Sequence, residues 1–212
     1  MYSRAVILCA GAALLAVSSV PADDKPAPDK PKAALKEGAD LPGSLHPYNV
    51  ANGKYENKFH SLTNEHGLNP GVLIFVQNVT PTGDSPLVKL LRDLDGYIVD
   101  KPKTRLNAFA VFVYSDLADV VANDDIREGH IQELQKLKGG ESPLHQVVVA
   151  LDSAASLQKA GYEMPPTEQV RVVLFDELKV RKIYNLEKGV TDADVKTIMN
   201  EVQTKLAPYK KK

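Results

Sequence analysis

The side chains best suited to chemistry near neutral pH are histidines. His60 and His66 bracket Glu65, and His46 lies a short way upstream. Neutral imidazole nitrogens with a carboxylate between them suit zinc or copper. The i,i+6 spacing matches no metal signature, however, and Gly67 and Asn69 point to a turn, so the competing reading is a set of polar loop residues. No metal, cofactor or catalytic residue is assigned from this pattern. His130 sits among apolar residues at helical spacing and reads as a boundary histidine with a local hydrogen bond, whereas His145 reads as an exposed residue at a strand entrance. Ser61 lacks the GxSxG setting of a nucleophile. Ser85 precedes Pro86 and reads as a helix N-cap. Asp84 and Asp116 each follow an apolar run, which makes them candidates for a pocket rim at strand ends. Asp124 and Asp125 suit the positive end of a helix. Walker, dinucleotide, HExxH and EF-hand patterns are missing from the sequence.

Sulfur chemistry is limited to Cys9, the one cysteine among 212 residues. A single cysteine forms no internal disulfide and performs no dithiol exchange. The charge balance, 26 basic against 27 acidic residues, offers no electrostatic reason to bind nucleic acid or acidic membranes. Tryptophan is absent and 6% of residues are aromatic, which argues against a large stacking surface.

Arg4 precedes an uncharged stretch, Ala5 to Val20, that ends in Val20-Pro21-Ala22 ahead of two aspartates. This is the pattern of a secretory signal peptide over residues 1–22. The stretch is shorter than the roughly 20 apolar residues that span a bilayer. Cleavage would remove Arg4 and Cys9, leaving a chain without cysteine. Residues 23–47 carry Pro26, Pro28, Pro31, Pro42 and Pro47 with little apolar periodicity, and are expected to form a flexible Pro/Lys/Asp-rich tail. The domain is then expected over residues 48–212.

The elements that must position these groups follow from periodicity. Val72–Gln77 is a continuous apolar run of strand length. Ser85-Pro86 opens a helix with Leu87, Leu90, Leu91, Leu94 and Ile98 on one stripe. Asn107–Tyr114 is a second strand. Ile126, His130, Leu134 and Leu137 share the next helical face, closed by Gly139-Gly140. Gln146–Leu151 is a third strand, followed by a short helix from Ser153 to Ala160. Gln169–Asp176 and Leu178–Asn185 read as a hairpin. Thr191 and Asp194 suggest a capping box ahead of Val195, Ile198, Met199, Val202 and Leu206. The alternation predicts an α/β sandwich around a mixed sheet, with the first three strands parallel.

That order resembles the thioredoxin-like superfamily, nearest its AhpC/TSA and peroxiredoxin-like branch. The resemblance runs from Val72 to Leu206 on IFVQNVTPTGDSPLVKLL, NAFAVFVYSD, HQVVVALDSAASLQKAGY and PPTEQVRVVLFDELKVRKIY. It implies a three-layer sandwich and places the active thiol after the first core strand, where this chain has Asn78–Leu87 and no cysteine. It also implies a cis-proline before the next-to-last strand, for which Pro166 is the match. The segment from Phe59 to Pro70 is similar to that of exported members with a CxxC at positions that are here Ser61 and Asn64. A serine hydroxyl does not exchange disulfides.

These readings predict an exported, redox-inactive domain, periplasmic or secreted, that binds a protein or peptide near Pro166. Nucleic acid is not expected as a partner, nor is membrane insertion once the signal is removed. The alternatives are a thiol-independent, metal-assisted enzyme using His60, Glu65 and His66, and a structural envelope or secreted protein.

Overall fold

A computed structural model describes residues 35–63, 68–139 and 143–208. The expected signal peptide, the first part of the expected tail, and Asn64, Glu65 and His66 lie outside the described residues. The elements run β1 (Tyr48–Ala51), β2 (Lys58–Phe59), β3 (Gly71–Gln77), α1 (Pro86–Asp100), β4 (Asn107–Val113) and α2 (Asp124–Gln135). They continue with β5 (Val148–Asp152), α3 (Ala154–Ala160), β6 (Val170–Asp176), β7 (Lys179–Leu186) and α4 (Asp192–Glu201). The strands form one seven-stranded sheet in the order β2-β1-β5-β4-β3-β6-β7. β3 pairs parallel with β4, and β4 with β5, while every other pairing is antiparallel.

β3 and β4 are covered on both faces, which explains their unbroken apolar runs. Val72, Ile74 and Val76 point into a core shared with Leu90, Leu91 and Leu94 of α1, Ile131 and Leu134 of α2, and Val195, Ile198 and Met199 of α4. Leu73 and Phe75 point the other way, against Leu157 and Ala160 of α3 and against Tyr162. Helices on both faces of a mixed sheet make the three-layer sandwich of the thioredoxin-like fold. Gly71 opens β3 because a Cβ there would lie 2.1 Å from the Phe175 ring.

The caps formed as their chemistry requires. Ser85 Oγ accepts from the Val88 amide, Ser153 Oγ from the Ser156 amide, and Thr191 and Asp194 close a full capping box. α4 then passes into a single wider π-helical turn, Val202–Leu206.

The segment expected as a flexible tail up to Pro47 is corrected over its described part. Leu45 is fully buried, and Leu35 and Leu41 pack on the same side of the sheet. The Gly38 amide donates to Val180 O at 2.8 Å, the Val180 amide to Ala39 O at 2.8 Å, and the Leu41 amide to Leu178 O at 2.7 Å. Within a strap over residues 35–45, residues 37–41 thus run along the outer edge of β7, while Gly43 O accepts from the Tyr162 hydroxyl and Leu45 O from the Leu62 amide. The strap's leucines are too irregularly spaced to read as a strand or helix, and its one proline, Pro42, follows the bonded Leu41 amide.

Three other expectations shift. β1 and β2 form an unforeseen hairpin that covers the far edge of β5. β5 begins at Val148 rather than Gln146, because the amides of His145, Gln146 and Val147 all donate to Asp95 Oδ1 of α1, at 2.9, 2.6 and 2.8 Å. Ile126 does not share the buried face of α2 but is 40% exposed. That face is centred on Ile131 and Leu134, with Arg127 and His130 at its border.

Candidate functional site: the strand ends around Pro166

The carboxyl ends of β3 and β4 carry the loops where the fold places its chemistry. Asn78, in the left-handed region with φ 53°, turns the chain out of β3. Its amide donates to Val113 O at 2.8 Å, and its Oδ1 accepts from the Ser115 amide at 2.7 Å. One asparagine therefore ties the two strand ends together. The loop beyond it leads to Ser85, whose hydroxyl serves as the cap of α1. Asp84 pairs with Arg92 at 2.6 Å on the surface.

Asp116 is not brought to Asp84. It accepts from His130 Nε2 at 2.9 Å, and the His130 ring stacks on Tyr114 at 3.8 Å with 2° between the planes. His130 is the boundary histidine that the sequence indicated. Burial pushes the Tyr114 hydroxyl up to about 12; the Thr80 side chain stands close enough to oppose this, though without a formed hydrogen bond. A phenol whose ionisation is made harder by burial, behind a stacked imidazole, keeps its proton at neutral pH and serves as a wall of the loop.

Pro166 is not cis: the described residues contain no cis peptide bond. The geometry inferred from the resemblance is therefore corrected. The turn is held by polar contacts instead. The Glu168 amide donates to Pro165 O at 3.0 Å. Arg171 on β6 is paired with buried Glu168 at 2.5 Å, donates to Glu163 O at 2.7 Å, and reaches Asn185 Oδ1 at 3.0 Å. One guanidinium thus fixes both sides of the Pro165-Pro166 turn, a task suited to its planar fork of donors. The sequence hid this arrangement, because an alternating charged residue in a strand normally reads as solvent-facing.

Beside this turn lies a groove of about 270 Å³, lined by Gln77, Val113, Gln158, Glu163, Met164 and Pro166. It contains no aromatic side chain. The other sequence candidates lie elsewhere. His60 stacks on Tyr55 at 3.6 Å, and its amide donates to Pro47 O at 3.2 Å. Ser61 is buried, and His145 is exposed. Among the described residues no three His, Cys, Asp or Glu side chains gather as a metal site. Asp124 pairs with Arg127 at 2.8 Å within the first turns of α2.

The sequence matches no family model and no curated protein. Solved structures do match. One is a protein assigned as a thiol:disulfide interchange protein DsbE from Chlorobium tepidum, 15% identical, with a TM-score of 0.50 over 82% of this chain and 99% of that one. An uncharacterized conserved protein from Geobacillus kaustophilus is 17% identical, covering 85% and 89% at a TM-score of 0.49. A yeast mitochondrial 1-Cys peroxiredoxin is 13% identical, covering 80% and 76% at 0.46. The first of these shows that the fold is thioredoxin-like. The chain departs from the chemistry of such folds, because no cysteine stands anywhere in residues 10–212.

Proposed function

We propose that this is an exported, redox-inactive thioredoxin-like domain that binds an extended protein or peptide segment at the Pro166 groove. The observation that carries the reading is the groove itself. Its lining combines apolar Val113, Met164 and Pro166 with polar Gln77, Gln158 and Glu163, at the strand ends where the thiol is missing. Such a mixture of apolar lining and few polar groups suits side chains of a bound strand better than a small charged substrate. The Arg171 network supports the reading, since it keeps the turn in place before any partner arrives. Export rests on the sequence of residues 1–22.

The test is a peptide array probed with the mature chain and with Met164→Glu, which places a charge in the groove lining. Peptides bound by the mature chain and lost at least tenfold with Met164→Glu support the reading, and peptides that bind both alike overturn it. The N-terminus of native material is expected at or near Asp23, and a mature population beginning at Met1 would overturn export.

A further inference from the structure

A second crevice, which shares only Ala155 with the lining of the Pro166 groove, opens where the paths out of two neighbouring parallel strands diverge. The chain leaves β4 for α2, whose Ile131 and Leu134 pack on one face of the sheet. It leaves β5 for α3, whose Leu157 and Ala160 pack on the opposite face. Neighbouring strands whose connections part to opposite faces leave a ligand crevice at their carboxyl ends. β3 and β4 do not, since α1 and α2 lie on the same face.

The crevice encloses about 370 Å³. Phe59, 43% exposed, and Val121 contribute apolar lining. Asp152, Ser153 and Ser156 contribute polar lining. Asp152 is the last residue of β5 and is 2% exposed. Its Oδ1 accepts from the Ser153 amide at 2.8 Å, while its Oδ2 is buried without a hydrogen-bond partner. A buried carboxyl oxygen left unbonded at the wall of a cavity marks a contact still to be made. The other titratable groups lining the crevice are His46, Asp119 and Lys159. Asp119 Oδ1 is already engaged by the amides of Val121 and Ala122, at 2.7 and 3.1 Å.

We propose that this crevice binds a small organic amine, with its ammonium group hydrogen-bonded to Asp152 and its apolar body against Phe59 and Val121. An ammonium supplies both the donor and the charge that an ionised, unbonded oxygen lacks. An anion would meet the carboxyls of Asp152 and Asp119, with Lys159 the one lysine in the lining. The Ser156 side chain stands beside the carboxyl, without a formed hydrogen bond to Oδ2, and is the group an ammonium has to displace. Burial raises the Asp152 carboxyl to about 6, against a weaker pull downward from the Ser153 amide and the Ser156 side chain. Binding to the ionised form therefore weakens about tenfold between pH 7.5 and pH 5.

The experiment is an amide-resolved NMR titration of the mature chain with phenethylamine, using 2-phenylethanol and phenylacetate as neutral and anionic controls. Saturable shifts of the Ser153 and Ser156 amides with the amine alone, weakening about tenfold at pH 5, are the expected result. Asp152→Asn is expected to abolish them. Val121→Lys, on an exposed side chain, is expected to weaken them at least fivefold and keeps the test decisive should Asp152→Asn misfold. The proposal is overturned by the lack of a saturable shift with phenethylamine, by an equal response to phenylacetate, by pH-independent affinity, or by binding that survives in a folded Asp152→Asn or Val121→Lys chain.

Discussion

Asp95 is an aspartate on a helix whose other buried positions are leucines and Val88, and it is almost fully buried. One of its oxygens collects three successive amides of the chain entering β5. Asp95→Ala would leave those buried donors unbonded, and a loss of about 3 kcal/mol is expected in urea unfolding, with Asp95→Asn losing roughly 1 kcal/mol because it keeps an acceptor. Asp152 behaves in the opposite sense. Its carboxyl is raised in the folded chain, from 3.8 to about 6, so the fold holds the proton more tightly than the unfolded chain does. Stability is therefore greatest, as far as this group goes, below pH 4, and is lost as pH rises through 6. At pH 7.5 without ligand, Asp152→Asn is expected to melt above the parent chain by up to about 3 kcal/mol, with the difference vanishing below pH 4. Equal melting at both pH values would contradict this. Neither aspartate could be singled out from the sequence. Each is an acidic residue beside apolar ones, and its role depends on amides or cavities supplied by distant segments. Pro166 was visible in the sequence only as a position. Its trans bond means that Pro166→Ala should cost less than about 1 kcal/mol, the entropy of a freer unfolded chain.

The elements differ in how openly the sequence declares them. β3 and β4 were legible from their unbroken apolar runs, and α1, α3 and α4 from apolar positions following a capping side chain. β1 and β2 have four and two residues, too few for a period to show, and their pairing is decided by β5. The strap over residues 35–45 was missed for a related reason. It is held by backbone groups, which every sequence possesses, and by single leucines. Leu45→Ala is expected to cost 2–5 kcal/mol, as for other fully buried leucines. Removing residues 35–45 should broaden or abolish the cooperative melt. An unchanged melt would show the strap to be dispensable. The β6–β7 turn places Glu177 and Leu178 at φ 53° and 60°, where neither side chain is at ease. Glu177→Asn is expected to raise the melting temperature, by roughly 0.5–1 kcal/mol in free energy.

At the scale of the molecule, a fold associated with thiol chemistry is here built without a cysteine at its strand ends. The mature chain is expected to give no insulin reduction and no peroxide turnover. Activity surviving chelation and purification controls would sink that expectation. The strap has a further consequence, for the order in which the protein takes shape. Glu37 bonds the amide of Ile183 across 146 positions of chain, and Gly38 and Leu41 reach equally late partners. A ribosome releases the strap early and its docking edge nearly last. The outer edge of β7 therefore cannot be sealed until almost the whole chain has been made. Contacts closed over so long a loop are slow to form. If the chain is exported as proposed from residues 1–22, that delay would leave its final closure to follow passage across the membrane.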